Sequence, residues 1–265
     1  MKLRETQHLK VFSITTWYEQ FKDISLRTII LNLAPELLKK FRTEDYESEV
    51  EDICPADYIN ELKNALNSLN SDAFVKNNWH APTDARFMSF GNILKVTSVS
   101  DIILYFTSSD IIMNDFDNKN FDSYCIALRP WMNIHPASEF RCIVINNILR
   151  GISPRDWPTF YAHFAEEGPE IISKISTFFK EHICNKFPKH TYIFDVYTTY
   201  PDSITLLDFG PLTNKTNLYA FNWKEIQSIM NKGCTKEVAP VFRYLENDIG
   251  IMSRADALFK LLQLQ

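Results

Sequence analysis

This sequence predicts an α+β fold, built on antiparallel sheets with helices to one side. Three observations carry that expectation. Strand-like runs of β-branched and aromatic residues are joined by tight turns, at Asn146-Asn147 and at Thr199 to Asp202, instead of long crossovers. Helical periodicities fall between these runs without regular βαβ alternation. Only 6 glycines occur, and GxGxxG and GxxxxGK[ST] are both missing, so neither a Rossmann fingerprint nor a P-loop is available.

The elements follow in order. Phe12, Trp17, Tyr18 and Phe21 anchor a helix or turn within residues 8–22. Leu26 to Leu33 reads as a strand, and Pro35 opens a short helix, PELLKKF. The acidic run Glu44 to Asp52 reads as a solvated loop. Ile59, Leu62, Leu66 and Leu69 recur at helical spacing, so Pro55 to Leu69 is an amphipathic helix. Phe74 to Lys76 is a short strand leading into the turn-rich NNWHAPTDAR. Ser100 to Ser108 is a helix with Ser100 as its N-cap. Tyr124 to Trp131, Glu139 to Ile145 and Ile148 to Ser153 are strands, the last two joined by Asn146-Asn147. Pro169 to Cys184 is a helix burying Ile171, Ile175, Phe178, Phe179 and Ile183. Phe221 to Met230, capped by Asn222, and Ala255 to Leu264 complete the helices.

Tyr192 to Tyr197 and Ser203 to Phe209 form a hairpin across TTYPD. With residue 198 opposite 203, Asp195 faces Leu206. Asp208 then sits one diagonal away on the same face, roughly 7–8 Å off at the backbone. Two acids within apolar strands are costly unless paired, and a divalent cation or an Arg would pair them. Alternatively, each Asp ends a strand or faces water.

A length of 265 residues suits one large domain or two lobes sharing a core. With 28 Lys and Arg against 33 Asp and Glu, net charge is −5, which argues against general nucleic-acid affinity. The five cysteines are widely spaced without a CxxC, so they read as reduced core thiols of a cytosolic protein. MKLRETQHLK is polar and no apolar run reaches membrane-spanning length, so a soluble intracellular protein is expected.

Charge enters strand context at four places: Lys76 with Asn78, Trp79 and Asp84; Arg129 beside Trp131; Glu139 with Arg141 and, past the next strand, Arg155; and Asp195 with Asp208. Together these groups suit a polyphosphate with a divalent metal, since Arg matches phosphate bidentately and Lys acts as a point charge. Each Arg taken alone is equally a cross-strand salt bridge. No HExxH or GxSxG occurs, and Asp208-Phe209-Gly210 lacks the other kinase signatures.

KNNWHAPTDA (76–85), EFRCIVINNILRGISPRD (139–156), FDVY (194–197) and LLDFGP (206–211) resemble the cell division cycle protein 123 family, as do FSITTWYEQF, FNWKEI and APVFRY. The resemblance implies an ATP-grasp-like fold, a single domain over 1–265. Its N-terminal lobe would span roughly 1–120 and its C-terminal lobe 121–265, with the nucleotide cleft between them. It implies ATP and Mg²⁺ as cofactors. The implied ATP-binding positions are Lys76, Asn78, Trp79, Ala81, Asp84, Arg129, Glu139, Arg141, Arg155, Asp195 and Asp208, the two acids also holding the metal. The implied role is a cytoplasmic, monomeric assembly chaperone that binds the gamma subunit of eukaryotic translation initiation factor 2. No membrane or direct nucleic-acid partner is implied, and an assembly factor is expected over a turnover enzyme. An ATP-dependent ligase or nucleotidyl- or phosphotransferase acting on an unknown acceptor is the alternative. Family members usually read DFNP where this chain has Gly210, which removes one oxygen ligand. The short chain also fits a compact member or a bacterial copy acting in a host cytosol.

Overall fold

The computed structural model describes residues 9–43, 49–70, 72–89, 91, 93–117, 121, 123–199, 203–231 and 239–248. The described residues form two compact units, one within Met1–Lys22 and Leu26–Asn133, the other within Asp23–Ser25 and Ile134–Gln265. Each has its own sheet, and the α+β class is as expected.

The first unit begins with α1 (Ile14–Phe21), which buries Trp17 and Phe21. Strand β1 (Ile29–Asn32) is shorter than the expected Leu26–Leu33. The Thr28 N–H leaves the ladder and donates to the Tyr18 hydroxyl at 2.7 Å. Helix α2 (Pro35–Arg42) opens at Pro35 as expected. Of the acidic run, 44–48 lie outside the described residues, and Val50–Ile53 forms a helical turn, α3, with Val50 buried. Helix α4 (Ala56–Asn67) and strand β2 (Ala73–Lys76) follow the periodicity. Strand β3 (Lys95–Val96) is too short to leave a pattern. Helix α5 (Val99–Thr107) is capped by Ser98, not Ser100. Ser98 Oγ accepts from Asp101 N, and Asp101 Oδ2 accepts from Ser98 N, a reciprocal capping box. Helix α6 (Asp110–Phe116) was not expected, and strand β4 (Cys125–Pro130) completes the sheet in the order β1-β4-β2-β3. Val75, Ile126 and Leu128 point from that sheet into a core with Leu37, Phe41, Phe106 and Phe116.

The second unit is led by β5 (Glu139–Ile145) and β6 (Ile148–Pro154), joined where expected by Asn146 and Asn147 at φ 54° and 60°. Helix α7 (Phe164–Phe178) starts five residues before Pro169, which lies inside it, and gives way to a π-helical turn at Phe179–Ile183. Ile171 is only half-buried there. Strands β7 (Tyr192–Thr199) and β8 (Ser203–Gly210) make the expected hairpin, α8 (Trp223–Asn231) follows, and β9 (Val241–Phe242) closes the sheet in the order β8-β7-β5-β6-β9. Asn222 Oδ1 accepts from Glu225 N, so the expected cap of α8 is present. Among the described strands, β6 and β9 pair in parallel, against the antiparallel expectation. The helix read over Ala255 to Leu264 lies outside the described residues.

Alternation makes the two faces of this second sheet different. One row reads Phe209–Phe194–Cys142–Ile152 and packs aromatic rings, with Phe179 stacked on Phe194 and Phe187 on Phe209 at 5.8 and 4.1 Å. The other face carries Ile193 and Ile143, covered by Phe221, Leu218 and Ile226. Gly151 permits that cover, since a Cβ there would stand 2.7 Å from the Phe221 ring. The cysteines Cys54, Cys125, Cys142 and Cys184 are free thiols, the first three buried, and no described helix is long and apolar enough to cross a membrane.

Candidate functional site

In the second unit, one row of side chains crosses four strands: Asp208, Asp195, Arg141 and Ser153 are successive cross-strand partners. This corrects the expected register. From the tip, Thr199 pairs with Ser203 and Val196 with Leu206; a bulge at Leu207 then sets Asp195 directly opposite Asp208. Asp195 does not face Leu206. The tip register is one residue off the expected one and the inserted residue adds a second shift, and together they bring the two acids from a diagonal to an opposed position, with Cβ atoms about 4.5–5.5 Å apart.

Arg141 holds Asp195 in a bidentate pair, Nε to Oδ1 and Nη2 to Oδ2, both at 2.8 Å. Its Nη1 donates to the Asn217 carbonyl at 2.7 Å. Burial lowers the Arg141 pKa, but Asp195 more than offsets this and keeps the guanidinium charged. Arg155 donates from Nη1 to Glu139 Oε2 at 2.8 Å, and its Nε lies 3.6 Å from Asp195 Oδ2. Glu139, Arg141, Arg155, Asp195 and Asp208 therefore gather at one end of one sheet face. The cross-strand ion pairs left open by the sequence are present. Asp195 is 5% exposed, so its charge needs these partners.

The other candidates lie in the first unit. Lys76 and Arg129 are 2% and 4% exposed and share the face of the sheet opposite Val75 and Leu128. Arg129 Nε donates to Thr28 Oγ1 at 3.1 Å. Asn78 is a clasp: Nδ2 donates to Ser13 Oγ, Oδ1 accepts from Cys125 N, and its carbonyl accepts from Ile14 N. Trp79 donates from Nε1 to the Leu9 carbonyl and packs 4.4 Å from Phe121. The Ala81 carbonyl accepts from Thr83 N. Asp84 caps α6, bonding the Ser109 hydroxyl and accepting from Ile111 N. Asn78, Trp79, Ala81 and Asp84 thus each have a structural partner within their own unit.

For a cation, the donors are few. No group of three or more His, Cys, Asp or Glu converges among the described residues. A Cβ at Gly210 would stand 3.0 Å from Ile193 Cδ1 and Cγ1, so a side chain beside Asp208 at this position would require Ile193 to shift. Two opposed carboxylates fit Mg²⁺ that takes its other oxygens from phosphate and water, and do not fit a cation held by protein alone. Sequence pattern carries no signal for Asn217, Tyr219 or Ser153, which touch this row from a loop and from β6.

The family model D123 matches residues 42–260. The "Translation initiation factor eIF2 assembly protein" of Xenopus tropicalis is 31% identical over 281 residues, covering 89% of this chain and 84% of that protein. The Dictyostelium discoideum protein of the same name is 36% identical over 176 residues, 63% of this chain and 46% of that one. The solved structure of Cdc123 from Schizosaccharomyces pombe matches with a TM-score of 0.78 and 25% identity, over 93% of this chain and 99% of that chain.

Proposed function

Because this chain belongs to the D123 family, the cell division cycle protein 123 family that its motifs resemble, we propose that it assists assembly of translation initiation factor eIF2. The carrying observation is the Xenopus tropicalis relative of that name, similar over 89% of this chain. In this reading the protein works in the cytoplasm as an assembly factor without turnover, and its partner is the gamma subunit.

The same reading gives the second unit a Mg²⁺-bound nucleotide triphosphate, most simply ATP. Support comes from the row itself: Arg141 and Arg155 supply donors for phosphate oxygens, and Asp195 and Asp208 stand opposed beside them. A bound Mg²⁺ would offset the negative charge of the two carboxylates and of the phosphates. Asp195 would then share its oxygens between Arg141 and the cation. Lys76 and Arg129 remain candidates from the resemblance, and Asn78, Trp79 and Asp84 act first on their own fold.

Two measurements test this. Purified gamma subunit should be retained by the immobilised chain, and absence of retention with and without ATP and Mg²⁺ would remove the partner assignment. Calorimetry should show ATP binding that depends on Mg²⁺, and no heat at millimolar ATP would remove the nucleotide.

A further inference from the structure

The loop between β8 and α8, residues 211–222, is fastened to the charged row at three points. The Asn217 carbonyl accepts from Arg141, Ala220 N donates to Ser153 Oγ at 3.2 Å, and Tyr219 lies against both arginines. Tyr219 has φ 55°. The other described non-glycine residues with positive φ are Asn70, Asn146, Asn147 and Asn185. Asn enters that region readily, whereas a bulky aromatic does so only when its surroundings hold it. Asn217 Oδ1 accepts the Tyr219 N–H at 3.0 Å and helps hold it.

The strained backbone delivers one side chain to two cations. The Tyr219 ring centroid lies 5.0 Å from Arg141 Cζ, and its hydroxyl accepts from Arg155 Nε at 3.3 Å. Asp195 draws both guanidinium groups towards a single carboxylate. A π face for one and an oxygen for the other oppose that collapse and fix their spacing. Arg has five N–H donors; for Arg141, Asp195 and Asn217 engage three of them.

We infer that Tyr219 is a positioning residue that sets Arg141 and Arg155 apart so that their outer N–H groups meet neighbouring phosphates of one polyphosphate. This rests on the phosphate reading of the row and adds a residue that the reading does not include.

The test uses the full chain, with Mg²⁺-ATP and inorganic tripolyphosphate as probes in calorimetry and thermal melting alongside. Tyr219→Asn removes the ring and installs the residue this chain places at its other left-handed positions. Its melting temperature should match or exceed the wild-type value, while affinity for both probes falls about tenfold. Tyr219→Phe keeps the ring that faces Arg141 but loses the oxygen that holds Arg155, and should weaken binding by about threefold, between wild type and the Asn variant. If Tyr219→Asn does not fold, Tyr219→Leu, which keeps the backbone strain, should show the same tenfold loss. Wild-type affinity in the Asn or Leu variant overturns the inference. Failure of the wild-type chain to bind either probe overturns the phosphate reading beneath it, a separate outcome.

Discussion

The segment 76–85 of the first unit and the charged row of the second are the most motif-rich parts of the chain, yet they use polar atoms differently. In 76–85 the partners are mostly backbone groups or neutral side chains: Asn78 clasps β4 to α1, Asn77 Oδ1 accepts from Trp79 N and His80 N, and Asp84 caps α6. In the row the partners are charges facing charges, Arg141 with Asp195 and Arg155 with Glu139. A backbone clasp has no substitute, so losing it costs stability. An ion pair can instead exchange one partner for a ligand of like charge. Motif density alone therefore does not separate the two regions, while the kind of partner does.

The sharpest way to break this contrast is Asp208→Ala. Asp208 is half-buried and accepts from its own Phe209 N–H. The variant should keep its melting temperature yet lose Mg²⁺-dependent ATP binding, a loss of at least about 3 kcal/mol in site affinity by analogy with unpairing a charge. Unchanged calorimetric affinity would contradict the assignment. Asn78→Ala should do the reverse. Removing a buried side chain that serves both Ser13 and Cys125 should cost about 2 kcal/mol in urea unfolding, with affinity for Mg²⁺-ATP unchanged. Equal loss in both assays would erase the distinction between the regions.

A smaller effect sharpens the picture of the first unit. Burial pushes the Cys125 thiol from 9.0 up to about 12, against a lowering pull from Lys76. Burial likewise pushes the Tyr58 hydroxyl from 10.0 up to about 12. Above pH 9 the unfolded chain releases protons that the folded chain keeps, so stability is full below that pH and falls as pH rises towards 12. Each group contributes a slope of up to about 1.4 kcal/mol per pH unit. Unfolding midpoints from pH 8 to 11 should show the decline, and Cys125→Ala should flatten its onset near pH 9.

Much of the second sheet was legible because turn chemistry and alternation are local. Asn146-Asn147 marks the β5–β6 turn, Asn222 caps α8, and the strands of the β7–β8 hairpin appear within two residues of their expected ends. Other features depend on contacts distant in sequence. Strand β3 exists because β2 offers it an edge. The capping box of Ser98 and Asp101, by contrast, is local, three residues long.

The residues alone determined that Asp195, Asp208, Glu139 and Arg141 would ride on strands, because period-two alternation is written into each run. Only the folded sheet decided which of them meet. A single extra residue at Leu207 changes the pairing of β7 with β8, and no composition or spacing marks it. The opposition of the two carboxylates comes from that register and the capture of Asp195 by Arg141 from the pairing of β5 with β7, both set by packing across the whole sheet and not by any one strand.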